Sequence, residues 1–421
     1  MMEQKNLVPK RRFKEFQNTS AWEQRKLGDL LENAYQGINT AGDKVEYSES
    51  GVKILQSKHI TSGNITFDDA RYLDRDRYSE YLPKYVPNVD DILFANIGTI
   101  GPSAVVTEVK EFLIAWNILK MTPKKESNAK FIQLQLQRLN IKRYFESVTT
   151  GNATKFVNKD EMLRTQIIVP EKKEQSKIGE FFANLDNLIT LHQRKLEKMK
   201  ALKSAYLSEM FPAEGEPVPK RRFAGFTQAW EQRKLGEMME VTSVKRIHQS
   251  DWTDEGVRFL RARDIVCASK GEEPTDYLYV SQEKYDEYSR ISGKVKVGDL
   301  LVTGVGTIGV PLLVTQEEPL YFKDGNIIWF KNEKQLDGNF FYYSFIGESI
   351  QKYIRDVAGI GTVGTYTIDS GKKTPIQIPS YEEQEKIGNF FKQLDHLITL
   401  HQRKLEKLQN IKKAYLNEMF V

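Results

Sequence analysis

The 421-residue chain holds a single cysteine, Cys267, so it can form no internal disulfide and no multi-cysteine zinc or iron–sulfur site. Long hydrophobic runs are missing as well: none approaches the ~18 residues a membrane-spanning helix requires. The N-terminal stretch MMEQKNLVPKRRF has no apolar core, so no secretory signal is expected. Nor does one sign of charge dominate. Lys and Arg number 62 against 57 Asp and Glu, which gives a net charge of +5, a pI near 8.8 and a mean hydropathy of −0.52. That mild basicity is compatible with a nucleic-acid partner without singling one out. A single core rarely grows past roughly 250–300 residues, so the expectation is a soluble, cytoplasmic protein with more than one domain.

What is present is a duplication. VPKRRF stands at 8–13 and 218–223, AWEQRKLG at 21–28 and 229–236, GTIG at 98–101 and 306–309, and LITLHQRKLEK at 188–198 and 397–407. The offsets, 208–210 residues, are far longer than the roughly 20–50 of a solenoid repeat, so a whole domain has been copied. Between these matches the copies diverge. QGINTAGDKVEYSES (36–50) has little in common with VTSVKRIHQSDWTDEG (241–256). A likeness confined to certain segments implies one scaffold carrying two different surfaces.

Within each copy a strand-rich globule precedes one long helix. VKILQ (52–56), DILFAN (91–96), SAVVT (103–107), WNILKM (116–121) and TQIIV (165–169) read as strands. Their counterparts are VRFLR (257–261), DLLVTG (299–304), PLLVT (311–315), NIIWF (326–330) and TPIQI (374–378). Helices are expected at 128–148 and about 339–357. After Pro170 and Pro379 the texture changes to 4-3-4-3 spacing. The first seam runs through Ile178, Phe182, Leu185, Ile189, His192, Leu196, Met199, Lys203, Tyr206 and Met210. The second holds Ile387, Phe391, Leu394, Ile398, His401, Leu405, Leu408, Lys412, Tyr415 and Met419. Such seams predict an antiparallel coiled coil between the two helices. His192 and His401 near its midpoint are read as register-setting polar residues, with a pH switch or metal pair as the alternative. A second stripe, Phe181, Leu188 and Leu202 with Phe390, Leu397 and Ile411, either widens that seam or docks a partner.

The fold class expected is therefore α/β (α+β): two pseudo-symmetric mixed α/β domains separated by two long helices pairing as an antiparallel coiled coil. The boundaries follow: 1–170 and 218–379 for the globular domains, 171–211 and 380–421 for the helices, and 212–217 for the linker.

Several enzyme signatures fail on inspection. Gly304–Gly309 spells GxGxxG, but Val310–Val314 reads as a strand, where a dinucleotide site needs a helix; a hairpin turn is expected. No GxxxxGK[ST] phosphate loop and no N/D-P-P-Y/F motif of amino-methyltransferases is present. Asp160 with Glu171-Lys172-Lys173 imitates a nuclease D…ExK, yet Glu171 and Lys173 fall on a helix entry where charged residues face solvent. The five histidines form no tight cluster, so no metal is expected.

The helix entries PEKKEQSKIGEFFANLD (170–186) and PSYEEQEKIGNFFKQLD (379–395), with the elements VDDILFANIGTIG (89–101) and VGDLLVTGVGTIG (297–309), resemble the specificity subunit of a type I restriction–modification enzyme. The likeness covers essentially the whole chain. It implies a non-catalytic subunit with two target recognition domains, each reading half of a bipartite, asymmetric double-stranded DNA site. By the same implication the helices are spacers that dock two methyltransferase subunits, which restriction/translocase subunits then join. S-adenosylmethionine, ATP and Mg would reside on those partners. A coiled-coil assembly adaptor or a stand-alone DNA-binding regulator is the alternative.

Under this reading, base readout is expected from the divergent loops. The candidates are Gln36, Asn39, Lys58, His59, Asn96, Asn152, Thr154 and Lys155 in the first domain. In the second they are Lys245, Arg246, His248, Arg261, Arg263, Thr362 and Tyr366, with Arg261 and Arg263 alternating along a strand edge. The Lys-Arg-Arg clusters at 10–12 and 220–222 lie in shared sequence and fit either phosphate contact or junction packing.

Overall fold

The computed structural model describes residues 7–151, 154–359 and 364–421. The chain divides into two units. One comprises the residues up to Gln193 together with Arg403–Val421, and the other comprises Arg194–Gln402. The two long helices, Lys172–Glu209 and Tyr381–Glu418, therefore each contribute residues to both units.

In the first unit a four-stranded antiparallel sheet has the order Leu31–Gln36, Ile118–Pro123, Ile92–Ala95, Ser103–Val105. Ile92–Ala95 is buried along its whole length, as its unbroken apolar run requires for an interior strand. A three-stranded sheet sets Val52–Leu55 between Arg71–Leu73, antiparallel, and Leu113–Ile114, parallel. The second unit repeats the four-stranded sheet with Glu240–Thr242, Ile327–Lys331, Leu300–Thr303 and Pro311–Leu313. Its other sheet is enlarged by Trp252–Thr253.

The expected strands leave out several that form, among them the edge strands Leu31–Gln36 and Glu240–Thr242 of the four-stranded sheets and two further elements. Glu23–Lys26 and Glu231–Lys234 are strands pairing antiparallel with Gln166–Val169 and Pro375–Ile378. Their Glu-Gln-Arg-Lys side chains are largely exposed, so no apolar alternation marks them. The helices Ala262–Lys270 and Gln282–Ser292 occur in the divergent part of the second unit only. The helix expected at 128–148 is Ala129–Ile141 followed by a turn at Arg143 and Tyr144–Ser147. That at 339–357 breaks at Gly347, which adopts extended backbone between Gly338–Ile346 and Glu348–Ala358.

Within each unit the start of one long helix packs antiparallel against the end of the other. In the first, Phe181 meets Tyr415 at 5.2 Å between ring centroids, and Asp186 bonds Lys412 at 2.6 Å. In the second, Phe390 meets Tyr206 at 5.2 Å, and Asp395 bonds Lys203 at 2.6 Å. Lys203 and Lys412, polar interruptions of the seam, thus find carboxylates at one register only. Phe182, Leu185, Leu196, Phe391, Leu394 and Leu405 are buried, as is His192, while Ile189, Ile398 and His401 are half-buried. Phe181 and Phe390 do not belong to a free stripe. Phe13 and Tyr415 cover the one, Tyr206 and Phe223 the other.

The repeated VPKRRF and E-Q segments explain each other. Arg12 donates from Nε and a terminal nitrogen to the two oxygens of Glu174 at 2.7 and 2.6 Å. Arg222 does the same to Glu383 at 2.6 and 2.7 Å. Both glutamates are fully buried. The adjacent Gln175 donates to the Pro170 carbonyl and accepts from Asn128 N, and Gln384 does so with Pro379 and Asp337. Arg11 and Arg221 pair with Glu418 and Glu209. Arg12 and Arg222 are therefore buried junction groups, while Arg11 and Arg221 pair at the surface.

Candidate nucleic-acid interface

The GTIG segments are hairpin turns. Gly98 and Gly101 sit at φ +78° and +109°, and Gly306 and Gly309 at +71° and +78°, in the left-handed region that glycine tolerates. Each turn leads into a strand, so the GxGxxG at Gly304–Gly309 offers no helix N-terminus to a phosphate.

Around each turn the same backbone frame gathers loops from distant parts of the unit. In the first, Val157 N donates to Asn96 O at 3.0 Å and Asn96 N to Asn117 O at 3.3 Å. In the second, Tyr366 N donates to Gly304 O at 2.9 Å and Gly304 N to Asn326 O at 2.8 Å. The side chains on this frame differ. Asn96 accepts from Gln36 at 2.8 Å and donates to the Val157 carbonyl at 3.0 Å. Gly304 instead lets the chain close in; a Cβ there would lie 2.6 Å from the Tyr366 carbonyl.

This geometry sorts the expected readers. Asn39, Lys58, Thr154, Lys155, Lys245, Arg246, His248 and Arg263 are exposed, and Gln36 and Arg261 are half-buried. Asn152 and Thr362 lie outside the described residues. Three candidates are corrected. Asn96 and His59 are each 2% exposed, and His59 spends Nδ1 accepting from Gln56 N at 2.8 Å. Burial pushes the His59 pKa down. Tyr366 is also buried, its hydroxyl against that of Thr374. All three hold loops in place and offer no polar atom to a base edge. Two exposed aromatics lie outside the expected set: Trp116, 45% exposed on the turn before Ile118–Pro123, and Phe156. The signal available was their mismatch in the chain's own alignment, Gly325 and Thr365 standing at the corresponding positions.

Arg261 and Arg263 do not alternate along a strand. Arg261 caps the helix Ala262–Lys270, and Arg263 lies in its first turn. Arg261 donates to both oxygens of buried Asp264 at 3.0 Å and to Asp276 at 2.9 Å. Hydrogen bonds from Arg261 hold the Asp276 carboxyl below its usual range. Arg261 is thus a fastener of this loop. Arg261→Ala is expected to destabilise the second unit by about 1.5–3 kcal/mol, as for hydrogen bonds to charged groups, and Arg263→Ala by under ~1 kcal/mol. Denaturant unfolding of the two variants checks this; equal small losses would show that Arg261 is dispensable.

Among the described residues no group of three or more His, Cys, Asp or Glu is placed to hold a metal ion. No described helix is long and apolar enough to cross a membrane. Asp160, Glu171 and Lys173 are exposed.

A family model, the type I restriction modification DNA specificity domain, matches residues 19–201 and again 227–410. The chain belongs to this family. Among its relatives is the MjaX type I restriction enzyme specificity subunit of Methanocaldococcus jannaschii, 24% identical across 94% of this chain and 92% of the relative. The MjaVIII specificity subunit of the same organism is 27% identical over 65% of each chain. A solved S subunit of a type I restriction–modification system from M. genitalium shares the fold, with a TM-score of 0.63 over 98% of this chain and 99% of that one at 14% identity. As a specificity subunit the protein is the non-catalytic, DNA-recognising member of its system. Membership implies assembly with methyltransferase and restriction subunits.

Proposed function

We propose that each unit of this specificity subunit reads one half of a bipartite, asymmetric DNA site, and that the long helices dock two methyltransferase subunits. The observation that carries the reading is the recurrence of the same backbone hydrogen bonds beneath different side chains: Asn96, Trp116 and Phe156 against Gly304, Gly325 and Thr365. A shared frame presents either surface to a duplex in the same way, while the unlike side chains select different bases. Leu188, Leu202 and Leu397, with Leu191 and Leu400 beside them, are 40–51% exposed and support the docking of a partner on the helices. S-adenosylmethionine, ATP and Mg act on the partner subunits in this scheme.

The test is to map methylated adenines in DNA from cells carrying this chain with its methyltransferase. A two-part motif with unlike halves is expected, lost when the chain is deleted. Methylation that persists unchanged without the chain overturns the reading.

A further inference from the structure

We propose that Trp116 is a specificity-determining residue of the first unit, contacting the C5-methyl of a thymine in its half-site. The proposal rests on the DNA-recognition reading above and names the chemistry of one contact.

Trp116 is held rigidly at its backbone and left open at its ring. Its N–H donates to the Ile38 carbonyl at 2.7 Å, and its carbonyl accepts from Gln36. On one side Ala115 N donates to Leu55 O at 2.8 Å; on the other, the Asn117 side chain accepts from Ser57 N at 3.2 Å. Gly37 permits this crowding, since a Cβ there would lie 2.4 Å from the Ala115 carbonyl. A turn fixed from so many sides loses little entropy on binding, as suits a rigid aromatic anchor.

The fold does not require the indole. The second unit builds the equivalent turn with Gly325 at φ +66° and closes it with the same backbone bond to Asn326. Yet the first unit leaves 45% of a tryptophan in water, on the frame that brings the divergent loops together. Phe156, 36% exposed and bridged to Ile97 beside that turn, repeats the pattern against Thr365. Lys58 and Lys155, exposed on the same loops and without an ion pair among the described residues, supply charge for phosphates. An aromatic carbon surface reads the one apolar group on a major-groove edge, the thymine methyl. A wedge between base steps needs a residue that stands clear of the protein, and more than half of this one is covered.

The experiment measures binding of the chain–methyltransferase complex to duplexes carrying the mapped site, with each thymine replaced in turn by deoxyuridine. For the parent, one replacement is expected to weaken binding about fourfold, the worth of one buried methyl-sized group. Trp116→Phe should keep that dependence. Trp116→Ala should bind the all-thymine site more weakly, ignore the same replacement and still discriminate at the remaining positions of the same half-site, which also shows that the first unit is folded. No uracil effect in the parent, a thymine-free half-site, or uniform weakening of Trp116→Ala on every sequence overturns the proposal. Absence of any sequence-selective binding by the parent complex removes the DNA-recognition reading itself, and this proposal with it.

Discussion

Residues 1–211 produced alone will form a homodimer and direct methylation to an inverted repeat. The fragment keeps the first unit's globule but loses Arg403–Val421, whose Leu416, Met419 and Phe420 are 2–3% exposed in that unit's core. Phe420 stacks against Phe131 and meets Trp22 edge-on. Exposing these three side chains costs roughly 5–9 kcal/mol at about 1.5–3 kcal/mol each. The fragment carries its own replacement, because Arg194–Phe211 matches Arg403–Phe420 at twelve of eighteen positions, including Tyr206, Leu207, Met210 and Phe211. A second copy can therefore fill the vacant core and receive the same in return. That exchange is symmetric, and two identical reading surfaces related by a two-fold axis select a site with two-fold symmetry. Light scattering of the fragment, and methylation mapping with the methyltransferase partner, check both halves of the claim. A stable, folded monomer would show that the core tolerates the loss, and a dimer still modifying the parent's asymmetric motif would refute the division of reading between units.

Glu174→Ala is expected to cost the first unit about 3–5 kcal/mol, enough to unfold it at moderate temperature. The substitution strands Arg12, whose side chain is 5% exposed, with carbonyls of Thr19 and Ser20 as its remaining partners. Glu383→Ala should do the same to Arg222 in the second unit. Glu171→Ala, three residues away and exposed, should change stability by less than ~0.5 kcal/mol. The double replacement Arg12→Met with Glu174→Leu removes both charges and should recover most of the loss. Denaturant unfolding, with hydrogen exchange to localise the effect, provides the measurement. A loss below ~1 kcal/mol for Glu174→Ala would mean that water replaces the carboxylate freely.

The expected readers divide along a physical line. Lys58, Lys155, Lys245 and Arg246 are exposed as charged loop residues ordinarily are, so composition located them. Asn96, His59 and Tyr366 are buried instead, because a polar residue in a loop is equally suited to satisfy buried groups. Arg261 and Arg263 follow a strand in sequence, yet the Asp264 carboxylate accepts from the Arg261 backbone N–H and starts a helix there. Trp116 departs in the opposite direction: an apolar ring beside an apolar strand reads as core, and only the packing leaves it half outside.

By itself the sequence determined the duplication, three of the four strands of each central sheet, the long helices and the family. These follow from local periodicity and self-similarity, which survive without knowledge of distant contacts. Tertiary structure decided what the repeated charged segments are for. That Arg12 meets Glu174 and Arg222 meets Glu383, 162 and 161 residues apart, is invisible to any local pattern. It also decided that Phe420 belongs to the first unit's core and Phe211 to the second's. Burial is a property of the folded surroundings, so side chains of one chemical type end as buried fastener or exposed surface according to what packs over them.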